Sequence, residues 1–167
     1  MTDSIEIIPG ESIGPIKLGM TREQIEQLGI RPSAGSADRE LWHYPMTDAI
    51  EETVGLKPCQ YPLPGVEVYY DESDRCHRLA AILGYLPCAP VFTLCGHIVN
   101  GIAEQDVASI LRSIANDVSA SYGSIYSLSA GIRAIKWEAS DEEVICIEVM
   151  PKKLPQSSVG PDTKRPA

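Results

Sequence analysis

The side chains best suited to nucleophilic, acid–base or metal chemistry in this 167-residue chain are three histidines and five cysteines. Cys95 and His97 stand two apart, a spacing that puts both on one face of a strand and imitates a thiol nucleophile beside its base. No carboxylate lies close in sequence to orient that imidazole, and Gly-x-Ser-x-Gly, His-Glu-x-x-His and the phosphate-binding Gly-x-x-x-x-Gly-Lys are all missing. His43, between Trp42 and Tyr44, reads as a half-exposed strand residue. Cys76-His77, Cys88, Cys95 and His97 fall within 22 positions, but adjacent residues on a strand point to opposite faces, whereas a structural zinc site needs four converging ligands. The cysteines are odd in number and irregularly spaced, which argues against a disulfide framework and for reduced, buried thiols. No metal and no cofactor are expected.

Carboxylates are the commoner chemical group. They cluster at Glu51-Glu52, at Asp71, Glu72 and Asp74, and at Asp141, Glu142 and Glu143. Acid–base catalysis needs two carboxyl groups facing across a cleft with separated pKa values. Adjacent acids on hairpin tips are ordinarily solvated, or else they form a binding face. Lys and Arg total 14 against 23 Asp and Glu, a formal charge of −9. Residues 1–149 hold 10 basic and 22 acidic side chains, −12, because the last 18 residues are basic. Such a body repels phosphate backbones, so nucleic acid is excluded as a partner while a basic protein is favoured.

At 44% hydrophobic and 22% charged residues the composition is that of a globular chain. The opening Met1–Glu6 carries no basic segment of a signal peptide, and the longest apolar stretch, 79–86, is broken by Gly84 and stopped by Pro87. A cytoplasmic protein without membrane contact is expected. Ser4–Ile8 reads as a strand ended by Pro9-Gly10, and Ile13–Leu18 as an edge strand or extended segment. Thr21 then N-caps a helix of about two turns that ends at Gly29. Strands are expected at Glu40–Tyr44, Val66–Tyr70, Arg78–Leu83, Val91–Val99, Ile125–Leu128, Ile132–Glu138 and Val144–Val149. Gly101-Ile102-Ala103-Glu104 opens the longest helix, which runs to about Ser119, with Val107, Ile110, Leu111, Ile114 and Val118 on one stripe.

An internal repeat orders these elements. Residues 14–25 and 96–107 both read Gly-x-Ile-x-x-Gly-apolar-small and continue into a helix, at an offset of 82; the hairpins beginning Gly65 and Gly131 match at 66. The spacing predicts an α+β fold of two tandem strand-helix-hairpin units packed as one domain, with an antiparallel sheet and two main helices. The units are 1–90 and 91–150, sharing one core, and 151–167 is a flexible tail. Neither unit alone buries enough apolar area to offset its ordering entropy.

The segment Pro9-Gly10-Glu11-Ser12-Ile13-Gly14-Pro15-Ile16-Lys17-Leu18-Gly19-Met20-Thr21 resembles the opening of the SmpA/BamE-like family of small bacterial α+β domains. It is also similar to small cytosolic proteins of bacterial toxin–immunity loci, which continue into a Gly-aliphatic-x-Val-x-Tyr hairpin like that at Gly65–Tyr70. The resemblance implies fold more than activity. The BamE lipoproteins begin with a signal peptide and a lipidated cysteine that this opening lacks, so a BamE-like assembly role is the weaker implication. An immunity protein that blocks a basic toxin is the stronger one. Its partner-binding residues would be Asp71, Glu72, Asp74, Asp141, Glu142 and Glu143, sharing one rim, with Tyr69, Tyr70, Trp42 and Tyr44 as anchors. The alternative is a small enzyme or small-ligand-binding protein with a site between the units around Cys95, His97 and His43.

Overall fold

A computed structural model describes residues 4–28, 34–35, 39–42, 65–83, 91–121, 123–136 and 143–153, with the backbone alone at 34–35 and 39–42. The chain order is β1 (Ile5–Ile8), β2 (Ser12–Ile13), β3 (Ile16–Lys17), α1 (Arg22–Glu26), β4 (Ala34–Gly35), β5 (Arg39–Trp42), β6 (Gly65–Tyr70) and β7 (Cys76–Ile82). It continues with β8 (Phe92–Leu94), β9 (His97–Ile98), α2 (Glu104–Ile114), β10 (Ser119–Ser121), β11 (Ser124–Ser127), β12 (Ile132–Lys136) and β13 (Val144–Val149). The fold is α+β, with most of its regular structure in two sheets.

Two expected strands are hairpins instead. Gly14-Pro15 is the two-residue turn between β2 and β3, a position Pro accepts because it has no N–H to offer a ladder. Cys95-Gly96 likewise splits 91–99 into β8 and β9. Both turn residues have positive φ, 50° and 81°, as a right-twisted two-residue hairpin demands. Hence the smaller sheet has five strands in the order β3-β2-β1-β8-β9, and the β1–β8 pair within it is parallel. A single antiparallel sheet is therefore corrected to two, one of them mixed.

The larger sheet is antiparallel throughout, in the order β10-β11-β12-β13-β7-β6-β5-β4. Its centre is the β7–β13 pair, where Ala80 faces Glu148 and Leu79 faces Val149. Alternation along these strands sends Val66, Val68, Leu79, Ala81, Ile132, Ala134, Ile147 and Val149 into one core. That core also takes Ile7, Ile13 and Ile16 of the small sheet, Phe92 and Leu94 of β8, Ile25 of α1, and Val107 and Leu111 of α2.

Helix α1 has only five residues, too few to stand alone. Thr21 and Gln24 form a capping box at its start, and fully buried Ile25 anchors it. Helix α2 has no side-chain cap at Ala103, though Glu104 and Asp106 lie in its first turn where the backbone is positive. It ends at Ile114 rather than near Ser119. Ala115 is extended at φ −149°, and the Asp117 carboxylate accepts hydrogen bonds from Ser127 Oγ, Ser129 Oγ and the Ser129 N–H. Capturing the β11 turn in this way replaces the last helical turn with the start of β10. Of the expected tail, Pro151–Lys153 lies against the body, where the Lys153 N–H reaches Leu128 O at 2.8 Å.

Candidate functional site

The β6–β7 turn carries the first acidic cluster. Asp71 Oδ1 accepts the N–H groups of Ser73 (2.8 Å) and Arg75 (3.1 Å), so part of this carboxylate is used in building its own turn. Asp74 adopts φ 58°, a conformation Asp tolerates, and pairs with Arg22 Nε at 3.1 Å. Arg75 Nη1 donates to Gly19 O at 3.0 Å. Three acids are thus interleaved with two arginines. Of the three, exposed Glu72 faces solvent with no partner among the described residues.

The aromatic anchors separate by strand parity. Tyr70 points inward, 3% exposed, with the Arg22 guanidinium 4.0 Å from its ring centre; burial pushes its phenol up to about 12. It is corrected from partner anchor to core residue. Tyr69 lies on the opposite, outer face, half-buried beneath Arg78 at 4.0 Å, and its hydroxyl donates to Glu67. Trp42 ends β5, where only the backbone is described. Tyr44, His43, Asp141 and Glu142 lie outside the described residues.

Glu143 is half-buried and forms an isolated antiparallel bridge with Ala103 just before β13. Its position corrects the idea of one acidic rim. Strands β7 and β13 are antiparallel with Ile82 opposite Cys146, so Arg75, just before β7, and Glu143, just before β13, lie at opposite ends of the sheet. Extending that register from Arg75 to the level of Glu143 spans ten residues, about 30 Å at ~3.3 Å per residue.

Cys95 is exposed in the β8–β9 turn, and His97 is exposed on β9. What burial the Cys95 thiol has, together with the Glu6 carboxylate, pushes its pKa up, the opposite of what an activated nucleophile needs. Cys76 and Cys146 are buried thiols, both driven to about 12 by desolvation. Among the described residues no three His, Cys, Asp or Glu side chains are grouped to hold a metal ion, and no helix is long and apolar enough to cross a membrane.

Sequence reasoning missed the outer face of the large sheet. Cross-strand register sets Tyr126, Arg133, Glu148, Ala80 and Glu67 in one row. Arg133 Nη2 lies 3.0 Å from Glu148 Oε2, and Glu148 is only 7% exposed. Beside this row a depression of about 380 Å³ is lined by Ser121, Ser124, Tyr126, Leu128, Arg133 and Met150. Its sequence signal is small residues at Ser119–Ser121 and Ser124 next to large ones at Tyr126 and Arg133, which leaves space that no side chain fills. No protein-family model, curated protein or solved structure matches this chain.

Proposed function

We propose that this chain is a non-enzymatic interaction protein of the bacterial immunity type, built from two copies of one α+β unit, which binds a basic toxin and covers its active site. The duplication is supported by the order of the large sheet, which reads outward from β7 as β7-β6-β5-β4 and from β13 as β13-β12-β11-β10. It is supported again at the helix entries. Thr21 and Ala103, 82 apart, are both N-cap residues, and each bridges to the residue just before the inner strand, Arg75 in one case and Glu143 in the other.

The observation that carries the interaction reading is charge: residues 1–149 hold −12. A field of that size steers a basic partner at long range. Contact then falls to exposed carboxylates such as Glu72 and to Asp141 and Glu142 at the other hairpin. The Cys95/His97 alternative gains nothing from a thiol whose pKa is raised.

The test is stopped-flow association with the protein encoded by the adjacent reading frame. Asp71→Lys with Glu72→Lys, and separately Asp141→Lys with Glu142→Lys, should lower the low-salt on-rate by about tenfold or more. Unchanged rates would remove the electrostatic argument. Failure of the neighbouring product to bind at all would remove the immunity reading.

A further inference from the structure

We infer that the depression on the outer face of β10–β12 is a binding site for a monocarboxylate carried on an apolar body, with Arg133 and Tyr126 as its donors. The inference does not depend on the interaction reading.

Buried polar atoms almost always have partners, and those that lack one call for an explanation. Among the described residues, the buried Nε atoms of Arg78 and Arg133 have no hydrogen-bond partner, and Glu148 Oε2, buried beside them, is held only by its ion pair with Arg133. All three residues lie on the outer face. Arg133 and Glu148 face each other across β12–β13, and Arg78 stands one step past the last β7–β13 pair, level with Met150. Arg133 spends one terminal nitrogen on Glu148 and keeps 39% of its side chain exposed at the wall of the depression. Arg78 makes no ion pair among the described residues; its contact is the Tyr69 ring. The Tyr126 hydroxyl, directly across from Arg133, likewise has no hydrogen-bond partner among them.

The wall therefore offers Arg133 and the Tyr126 hydroxyl as donors, while the Ser124 hydroxyl proton is already spent on Ser121 O. An anion is what such a wall takes, and the terminal nitrogen of Arg133 that Glu148 does not occupy can donate to a carboxylate. A dianion is disfavoured by Glu148 on the same row and by the −12 body. Apart from Ser121, the remaining lining is apolar: Leu128, 42% exposed, and Met150. The volume of about 380 Å³ equals roughly a dozen waters at ~30 Å³ each, room for one aromatic or branched side chain.

The carboxylate has two possible sources, a free small acid or the C-terminal residue of a partner chain. The test is an amide-shift titration of the full chain with N-acetyl-phenylalanine, with its primary amide, and with a neutral pentapeptide ending in free Phe. The acid should shift the amides of Ser124, Tyr126 and Arg133 saturably, while the primary amide binds at least tenfold more weakly. Tighter binding of the pentapeptide assigns the site to a chain terminus; tighter binding of the free acid assigns it to a small molecule. Arg133→Gln should lose tenfold or more. Should that variant unfold by stranding Glu148, Tyr126→Phe and the surface change Leu128→Glu, each expected to weaken binding, carry the test. Equal shifts with acid and amide, shifts confined to other faces, or no saturation by about 10 mM would overturn the proposal.

Discussion

Replacing Gly131 by Ala should be among the most damaging single-methyl changes in this protein, and Gly19→Ala supplies its control. Both glycines have positive φ, 70° and 87°, where an L side chain costs about 1–2 kcal/mol. They differ in what a methyl group would meet. At Gly19 nothing lies within 4 Å. At Gly131 a Cβ would stand 2.2 Å from Met150 O and 2.8 Å from Gly10 Cα, both backbone atoms that cannot swing aside. That crowding has a structural purpose. Gly131 O accepts the N–H groups of Gly10 (3.1 Å) and Met150 (3.0 Å), joining the β1–β2 turn to the end of β13. Relieving the contact means moving one of these segments and weakening those bonds, at about 1 kcal/mol each, with overpacking strain of about 1–3 kcal/mol on top. Gly19→Ala should thus cost about 1–2 kcal/mol and Gly131→Ala about 4–7 kcal/mol. Urea unfolding followed by circular dichroism reads the difference. At a slope of about 2 kcal/mol per molar, the Gly131 variant should unfold about 2 M earlier than the Gly19 variant with the slope unchanged. Midpoints that coincide would show that the Gly10–Gly131–Met150 junction does not bear on stability, and the reasoning would fail.

The Asp117 carboxyl is held near 2, against an ordinary 3.8, by hydrogen bonds from Ser127 and then Ser129. Its contribution is therefore complete above about pH 4 and is lost as the pH falls toward 2. The stability gap between the wild type and Asp117→Asn should close over that window; a gap constant from pH 5 to 2.5 would contradict it. Among the three described cysteines, Cys95 should react first with a thiol reagent at pH 8, and Cys76 and Cys146 only on unfolding, as mass spectrometry of timed samples would reveal. Early labelling of Cys146 would mean that the outer face opens readily.

Much of this fold was legible locally because its signals are local. Thr21 announces α1 through a cap that needs only Gln24 three residues on. The alternation at 65–70 gives a strand because one face of it meets the core. The reading failed where a distant group decides. The end of α2 and the start of β10 depend on Asp117 being captured by residues ten and twelve positions away. The apolar stripe through Val118 carries no trace of that capture, although Val118 still packs on the core.

For the candidate sites the division is the same. Composition and order determined that this is an acidic α+β chain with carboxylates on its hairpin turns, because charge and periodicity are properties of the residues themselves. The tertiary structure alone decided which of those carboxylates stay available. Antiparallel pairing of β7 with β13 sends Asp74 and Glu143 to opposite ends, and Arg22, 52 positions from Asp74, neutralises one of the acids. It also decided that Tyr70 is core while Tyr69 is not, and that Arg78, Arg133 and Glu148 share a face. Strand register is a relation between segments far apart in the chain, so it is set by whichever pairing buries the most apolar surface at once.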